Sequence, residues 1–128
     1  MIRRNMTNNE IYSIALALTE SVANENLTLP IKVNFYLQKN ITTVMAIAED
    51  LEKSRNDLLS RYGKLDPEKG TYSFEEDKLE TANKELTDLF NLTQEVPIYE
   101  ISLEDFGDVQ LTAQQIKAIS YMIKDEEE

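Results

Sequence analysis

Residues Pro30–Tyr62 read PIKVNFYLQKNITTVMAIAEDLEKSRNDLLSRY, with no glycine and no proline after the first position. Leu37, Ile41, Val44, Ala48, Leu51, Arg55, Leu58 and Tyr62 recur at alternating intervals of four and three. This is a heptad seam interrupted by one charged side chain, Arg55. Proline is tolerated in the first turn of a helix, so Pro30 opens the run. A continuous helix of this length extends about 50 Å at about 1.5 Å per residue, more than a small domain needs. Ile31, Phe35, Met45 and Ile47 add apolar surface off the seam, so the N-terminal half is expected to be buried on more than one side.

The segment Gly63–Gly70 contains Asp66-Pro67 and reads as a connector, with Gly63 suited to a helix C′ position. A third helix follows from about Phe74 to Asn91, where Leu79, Ala82, Leu86 and Leu89 repeat the spacing. It should fold back on the long helix as an antiparallel helical hairpin. It covers about half the length, so helix one, the C-terminal region or a second copy of the chain must cover the remainder. Upstream, Ile11, Ile14, Ala15, Leu18 and Val22 place a first helix over about Asn8–Asn24, stopped at Asn24-Glu25-Asn26. Downstream, Ala113–Lys124 forms the last helix, with Ile116, Ile119, Ser120 and Ile123 inward, before an acidic tail over 125–128.

Three helix starts carry a capping box, in which a Ser or Thr accepts from the N3 amide and an N3 Glu or Gln reaches back. They are Thr7–Glu10, Ser73–Glu76 and Thr112–Gln115; Met6 with Ile11 and Leu111 with Ile116 would staple the first and third. Val96–Leu103 is the clear strand, with Tyr99, Ile101 and Leu103 alternating against Glu100 and Ser102. A lone strand leaves backbone groups unpaired, so it pairs with Thr71-Tyr72 or with another subunit. The expected fold is mainly α with a minor β part. A long central helix lies in an antiparallel helical hairpin, with flanking N- and C-terminal helices and one small two-stranded β element. It forms a single helical domain: an N-terminal helix over 1–28, the hairpin over 29–92, and strand, loop and last helix over 93–128.

The 128 residues include 13 basic and 24 acidic side chains, a net charge of −11, and neither cysteine, histidine nor tryptophan. That composition excludes Cys/His zinc sites, disulfides and His-based nucleophilic triads within the chain. It also argues against binding nucleic acid or anionic membrane through a broad basic face. No apolar run approaches the roughly 18 residues that span a bilayer, and Met1–Met6 lacks the apolar core of a signal peptide, so a cytoplasmic setting is expected. The charge is uneven: residues 31–64 hold six basic and four acidic side chains, a balance of +2, in an otherwise acidic chain.

Arg55 has two readings: a guanidinium held in a groove for phosphate or carboxylate, or a register-setting seam residue whose stem reaches out to Asp57 or Glu52. Lys32, Lys39, Lys53, Arg61 and Lys64 share its helix. Across a symmetric dimer they would converge beside Phe35, Tyr36 or Tyr62, which suit base stacking; otherwise they are solvated charges balancing helix three. The candidate ligand-binding set is Arg55, Arg61 and Lys53 for phosphate, with Tyr62 and Phe35 for stacking. No catalytic residue, metal ligand or cofactor is assigned. A magnesium-dependent nucleotide hydrolase using Glu85 and Asp88 is the enzymatic alternative; against it, Glu75 and Glu76 lie in the first turn of helix three, where acids favour the dipole, and the carboxylates spread around the helix instead of converging. Asp105-Phe106-Gly107 matches a kinase magnesium tripeptide without any of its companion motifs.

Leu29-Pro30-Ile31-Lys32-Val33, Asp57–Gly63, Val96–Ile101 and Leu103–Thr112 together resemble a widespread group of small uncharacterised proteins of phages and prophages of Gram-positive bacteria, over roughly residues 29–123. The resemblance implies a virus-encoded accessory protein of the host cytoplasm and supplies no functional residue. The expectation is a non-enzymatic homo-oligomer acting in counter-defence, sequestering a small nucleotide immune signal at a subunit interface. The alternatives are an acidic inhibitor of a host protein and a virion assembly or structural protein.

Overall fold

The computed structural model describes residues 1–23, 25 and 27–124. Asn24 and Asn26 of the expected helix stop, and the tail 125–128, lie outside them. The chain runs β1 (Ile2–Thr7), α1 (Asn8–Leu18), a π turn (Thr19–Ala23), α2 (Ile31–Tyr62), β2 (Lys64–Asp66), β3 (Thr71–Ser73), α3 (Glu76–Asn91) and β4 (Thr93–Ile98). A 3₁₀ turn (Leu103–Phe106), α4 (Ala113–Ile119) and a second 3₁₀ turn (Ser120–Met122) complete it. The protein is mainly helical, and α2 forms as one uninterrupted element of 32 residues. Pro30 flanks it at the N-cap position instead of opening its first turn.

Two of the three capping boxes form. Thr7 Oγ1 accepts from the Glu10 amide at 3.1 Å, and Thr112 Oγ1 accepts from the Gln115 amide at 3.1 Å while its own amide donates to Gln115 Oε1. The third does not. Ser73 belongs to β3 and donates its hydroxyl to the Lys64 carbonyl, while α3 starts at Glu76 after an N-cap at Glu75. The hairpin captures Ser73 because β2 and β3 pair from Lys64–Ser73 inward. At its turn the Asp66 carboxylate accepts from the Glu68 amide, and Gly70 takes φ +66°, which disfavours a side chain. Gly63 has a different reason to be glycine: its φ of −113° is ordinary, but a Cβ there would lie 2.6 Å from the Phe74 ring.

Two two-stranded sheets form among the described residues, where one was expected. The strand expected over Val96–Leu103 lies at Thr93–Ile98 and pairs with β1, antiparallel, in the register Ile2↔Ile98, Arg4↔Val96 and Met6↔Gln94. The partners expected for it, Thr71-Tyr72, are taken by Leu65 and Asp66. The inward parity is also reversed. Val96 and Ile98 are fully buried, whereas Leu103 is 63% exposed in a 3₁₀ turn beyond the strand. Ile101 is buried as expected, held by an isolated parallel bridge to Ile123.

The core joins α1 (Ile11, Ala15, Leu18), the N-terminal half of α2 (Val33, Leu37, Ile41, Val44), β4 and the C-terminal segment. Cover for that half of α2 therefore comes from within the chain, through α1, β4 and the first 3₁₀ turn. The last helix is rotated from expectation: Gln115, Ala118, Ile119 and Met122 face inward, and Ile116 is 53% exposed. Gln115 turns in because its side-chain amide donates to the Ser21 carbonyl at 3.1 Å, tying α4 to the π turn. α1 is shorter than expected, widening into that turn where Thr19 Oγ1 bonds the Ala15 carbonyl.

Candidate ligand-binding cleft

The five residues expected to bind ligand fall into two groups. Phe35 lies in the first turns of α2, and Lys53, Arg55, Arg61 and Tyr62 lie in its second half. Twenty-seven residues of helix separate Phe35 from Tyr62, about 40 Å at about 1.5 Å per residue, so one chain does not bring the two groups together. Arg55 and Arg61 are exposed. Lys53 makes an exposed i,i+4 pair with Glu49 at 3.7 Å, an interaction worth a few tenths of a kcal/mol at about 0.3–0.5. Tyr62 is half-buried between α2 and α3, and its hydroxyl donates to Glu85 Oε1 at 2.9 Å.

That hydrogen bond is the first cause of a raised Tyr62 pKa; burial and the Glu85 charge add to it, and Arg61 opposes it. The neutral phenol is the form favoured by folding. Its stabilisation is fully present below the ordinary tyrosine value near 10 and is lost as pH climbs through the folded-state value. Titration of tyrosinate absorbance, taken as the difference between the protein and Tyr62→Phe, should show Tyr62 ionising above its ordinary value. Glu85→Ala should move that ionisation down. An unchanged midpoint would show that the pair does not form in solution.

Around Phe35 the surroundings differ. Phe35, Tyr36 and Tyr99 make a run of rings with centroids 6.1 and 5.5 Å apart. Lys39 lies 5.4 Å over the Phe35 ring and Lys32 lies 5.8 Å over Tyr36, both within cation–π range. The helix dictates this: positions 32, 35, 36 and 39 are neighbours at spacings of three and four. Phe35 is 56% exposed and borders an open cleft of about 490 Å³, lined also by Met1, Gln38, Lys39, Thr42, Pro97 and Tyr99. Tyr99 also borders a second cleft of about 340 Å³, containing Tyr36, Lys32, Glu100, Asp105 and Lys124. There Lys32 is paired with Asp105 at 3.4 Å.

Tyr99 is placed by Asn40. This side chain is 1% exposed; its Nδ2 donates to the Tyr99 carbonyl at 2.9 Å and its Oδ1 accepts from the Tyr99 amide at 2.8 Å. The amide group thus continues the pairing of the chain just past β4, where no strand remains to do so. The polar residue in the buried seam is therefore Asn40, not Arg55. Val33, Leu37, Asn40 and Val44 keep the four-three-four spacing, and that was the available signal. Asn8 plays a related part elsewhere: its Nδ2 donates to the Leu89 carbonyl at 2.8 Å, completing the end of α3, and its Oδ1 accepts from Gln94.

Glu85 is occupied with Tyr62, and among the described residues no group of three or more acidic, histidine or cysteine side chains is arranged to hold a metal ion. No described helix is long and apolar enough to cross a membrane. No family model, curated protein or solved structure matches the chain.

Proposed function

We propose that this chain is a non-enzymatic binding protein that sequesters a small nucleotide, in the phage counter-defence setting implied by the resemblance described above. The observation that supports it is the Phe35–Tyr36–Tyr99 ring run carrying Lys32 and Lys39 beside an open cleft. Aromatic faces suit bases and ammonium groups suit phosphate, and this is the helix that is basic in a chain of net charge −11. Of the expected ligand residues, Phe35 is the one at this cleft; Arg55, Arg61 and Lys53 would contribute only through a second copy. The homo-oligomer of this reading draws on the exposed Ile31 and Phe35 of one helix face, since the rest of the N-terminal half of the long helix and β4 find cover within the chain. We also read α2 with α3 as an antiparallel helical hairpin, supported by the Tyr62–Glu85 contact and the short β2–β3 connection.

Isothermal titration with cyclic mononucleotides, cyclic dinucleotides and cyclic ADP-ribose isomers tests the function. Saturable binding of one of them, without turnover, is the expected result. Absence of binding for all of them at high micromolar concentration would sink it. The second reading, an acidic inhibitor of a host protein, is favoured by the acidic, exposed first turns of α3; it predicts one stoichiometric, salt-sensitive partner in a pull-down.

A further inference from the structure

We infer that the groove between α1 and the middle of α2 docks a basic amphipathic helix of another protein. This goes beyond nucleotide capture and does not rest on it. The groove holds about 190 Å³, and its apolar lining is Tyr12, Ala15 and Leu16 from α1 with Met45 and Ala48 from α2. None of these residues lines the two clefts beside Tyr99. Leu16 is the one large apolar side chain of α1 that is exposed, at 50%. The Tyr12 ring is held edge-on against Phe90, with centroids 5.6 Å apart. Thr19 Oγ1 lies 3.7 Å from Met45 Sδ, so the two helical segments meet at that end.

The charges that line the groove are of one sign, Glu49 and Glu52. α1 and the π turn carry Glu10 and Glu20 and no basic side chain, and α2 from Asn40 to Glu52 carries Glu49, Asp50 and Glu52 and no basic side chain. Glu10 is engaged by the Thr7 cap. The nearest base along α2 is Lys53, in its exposed pair with Glu49, and Arg55 follows. α3, which reaches Tyr12 through Phe90, is acidic as well. A second copy of the chain in a two-fold contact would set these carboxylates against themselves. A drug-sized molecule needs roughly 300–1,000 Å³. An amphipathic helix meets both features: apolar anchors at spacings of three and four reach Leu16, Met45 and Ala48, while flanking lysines or arginines meet Glu49 and Glu52.

The test titrates the full chain into three labelled synthetic peptides of about 18 residues, long enough to turn helical, and follows fluorescence anisotropy. The first places leucines on one helical stripe with lysines elsewhere. The second has the same composition with the stripe scrambled, and the third replaces every lysine by glutamate. The first should bind one to one, the scrambled peptide about tenfold or more weaker, and the glutamate peptide not at all. Leu16→Ala should weaken the first about tenfold. Glu49→Gln with Glu52→Gln should do the same at low salt and flatten its salt dependence. These are exposed positions, and an unchanged circular-dichroism melt verifies the fold. Glu76→Gln with Asp77→Asn, in the first turn of α3, should change binding by less than about twofold. Equal binding of the scrambled peptide overturns the inference, because attraction to acidic surface in general would then suffice. So does loss on the α3 variant with Leu16→Ala and the Glu49, Glu52 variant unaffected, and so does failure of the first peptide to bind.

Discussion

Ile98→Ala should lower stability by about 3.5 kcal/mol, the middle of the range for removing most of a fully buried isoleucine side chain. Ile98 is 0% exposed and pairs with Ile2 across the β1–β4 ladder. A domain of this size loses roughly 4 °C in Tm per kcal/mol, so the expected drop is about 14 °C. The informative control is Leu103→Ala. An alternating strand running on to Leu103 would bury Leu103 and expose Ile98; the fold does the reverse, with Leu103 63% exposed. Leu103→Ala should therefore stay within about 0.5 kcal/mol. Urea melts of the two variants decide the parity of β4: comparable losses, or a larger loss for Leu103→Ala, would refute the strand register described here.

Asn40→Ala should cost about 3 kcal/mol, because it removes two hydrogen bonds at once and leaves both the amide and the carbonyl of Tyr99 without that partner. The expected fall in Tm is about 12 °C. Asn40→Leu should do no better: it restores volume, but neither hydrogen bond. Arg55→Ala, at an exposed position of the same helix, should change stability by less than about 0.5 kcal/mol. Equal effects at the two positions, measured by urea unfolding with unchanged m values, would contradict the assignment of Asn40 as the buried polar residue of the helix.

The long helix was legible because its cause is local and repeated: apolar residues at heptad spacing with no breaker before Gly63. The capping boxes at Thr7 and Thr112 were legible for the same reason, since donor and acceptor lie three residues apart. Ser73 carries the same pattern, and there the pairing of β3 with β2 outcompetes the cap. β1 was hidden because the strand face that carries Ile2 and the buried Met6 also carries the exposed Arg4. An arginine breaks the apolar alternation while its guanidinium reaches the Tyr121 carbonyl at 2.9 Å. Gln115 was hidden likewise, as a polar residue turned inward to serve a distant carbonyl. At the candidate cleft, Phe35, Lys32 and Lys39 could be named from helical spacing. Tyr99 and Asn40 could not be joined, because fifty-nine residues separate them and their link is one side-chain amide meeting one peptide unit.

The long helix also crosses a boundary in burial. Up to Leu51 it supplies a buried residue at almost every turn; between Leu51 and Ala82, none of the described residues is buried. Its backbone hydrogen bonds continue unbroken through that point, but the packing that resists their opening does not. Amide protection should accordingly fall along a single helix, from values close to global unfolding near Val33–Val44 to those of a local opening unit near Arg61. If protection falls in that way, the end that holds the aromatic cleft opens only with the whole domain, while the other end opens by itself.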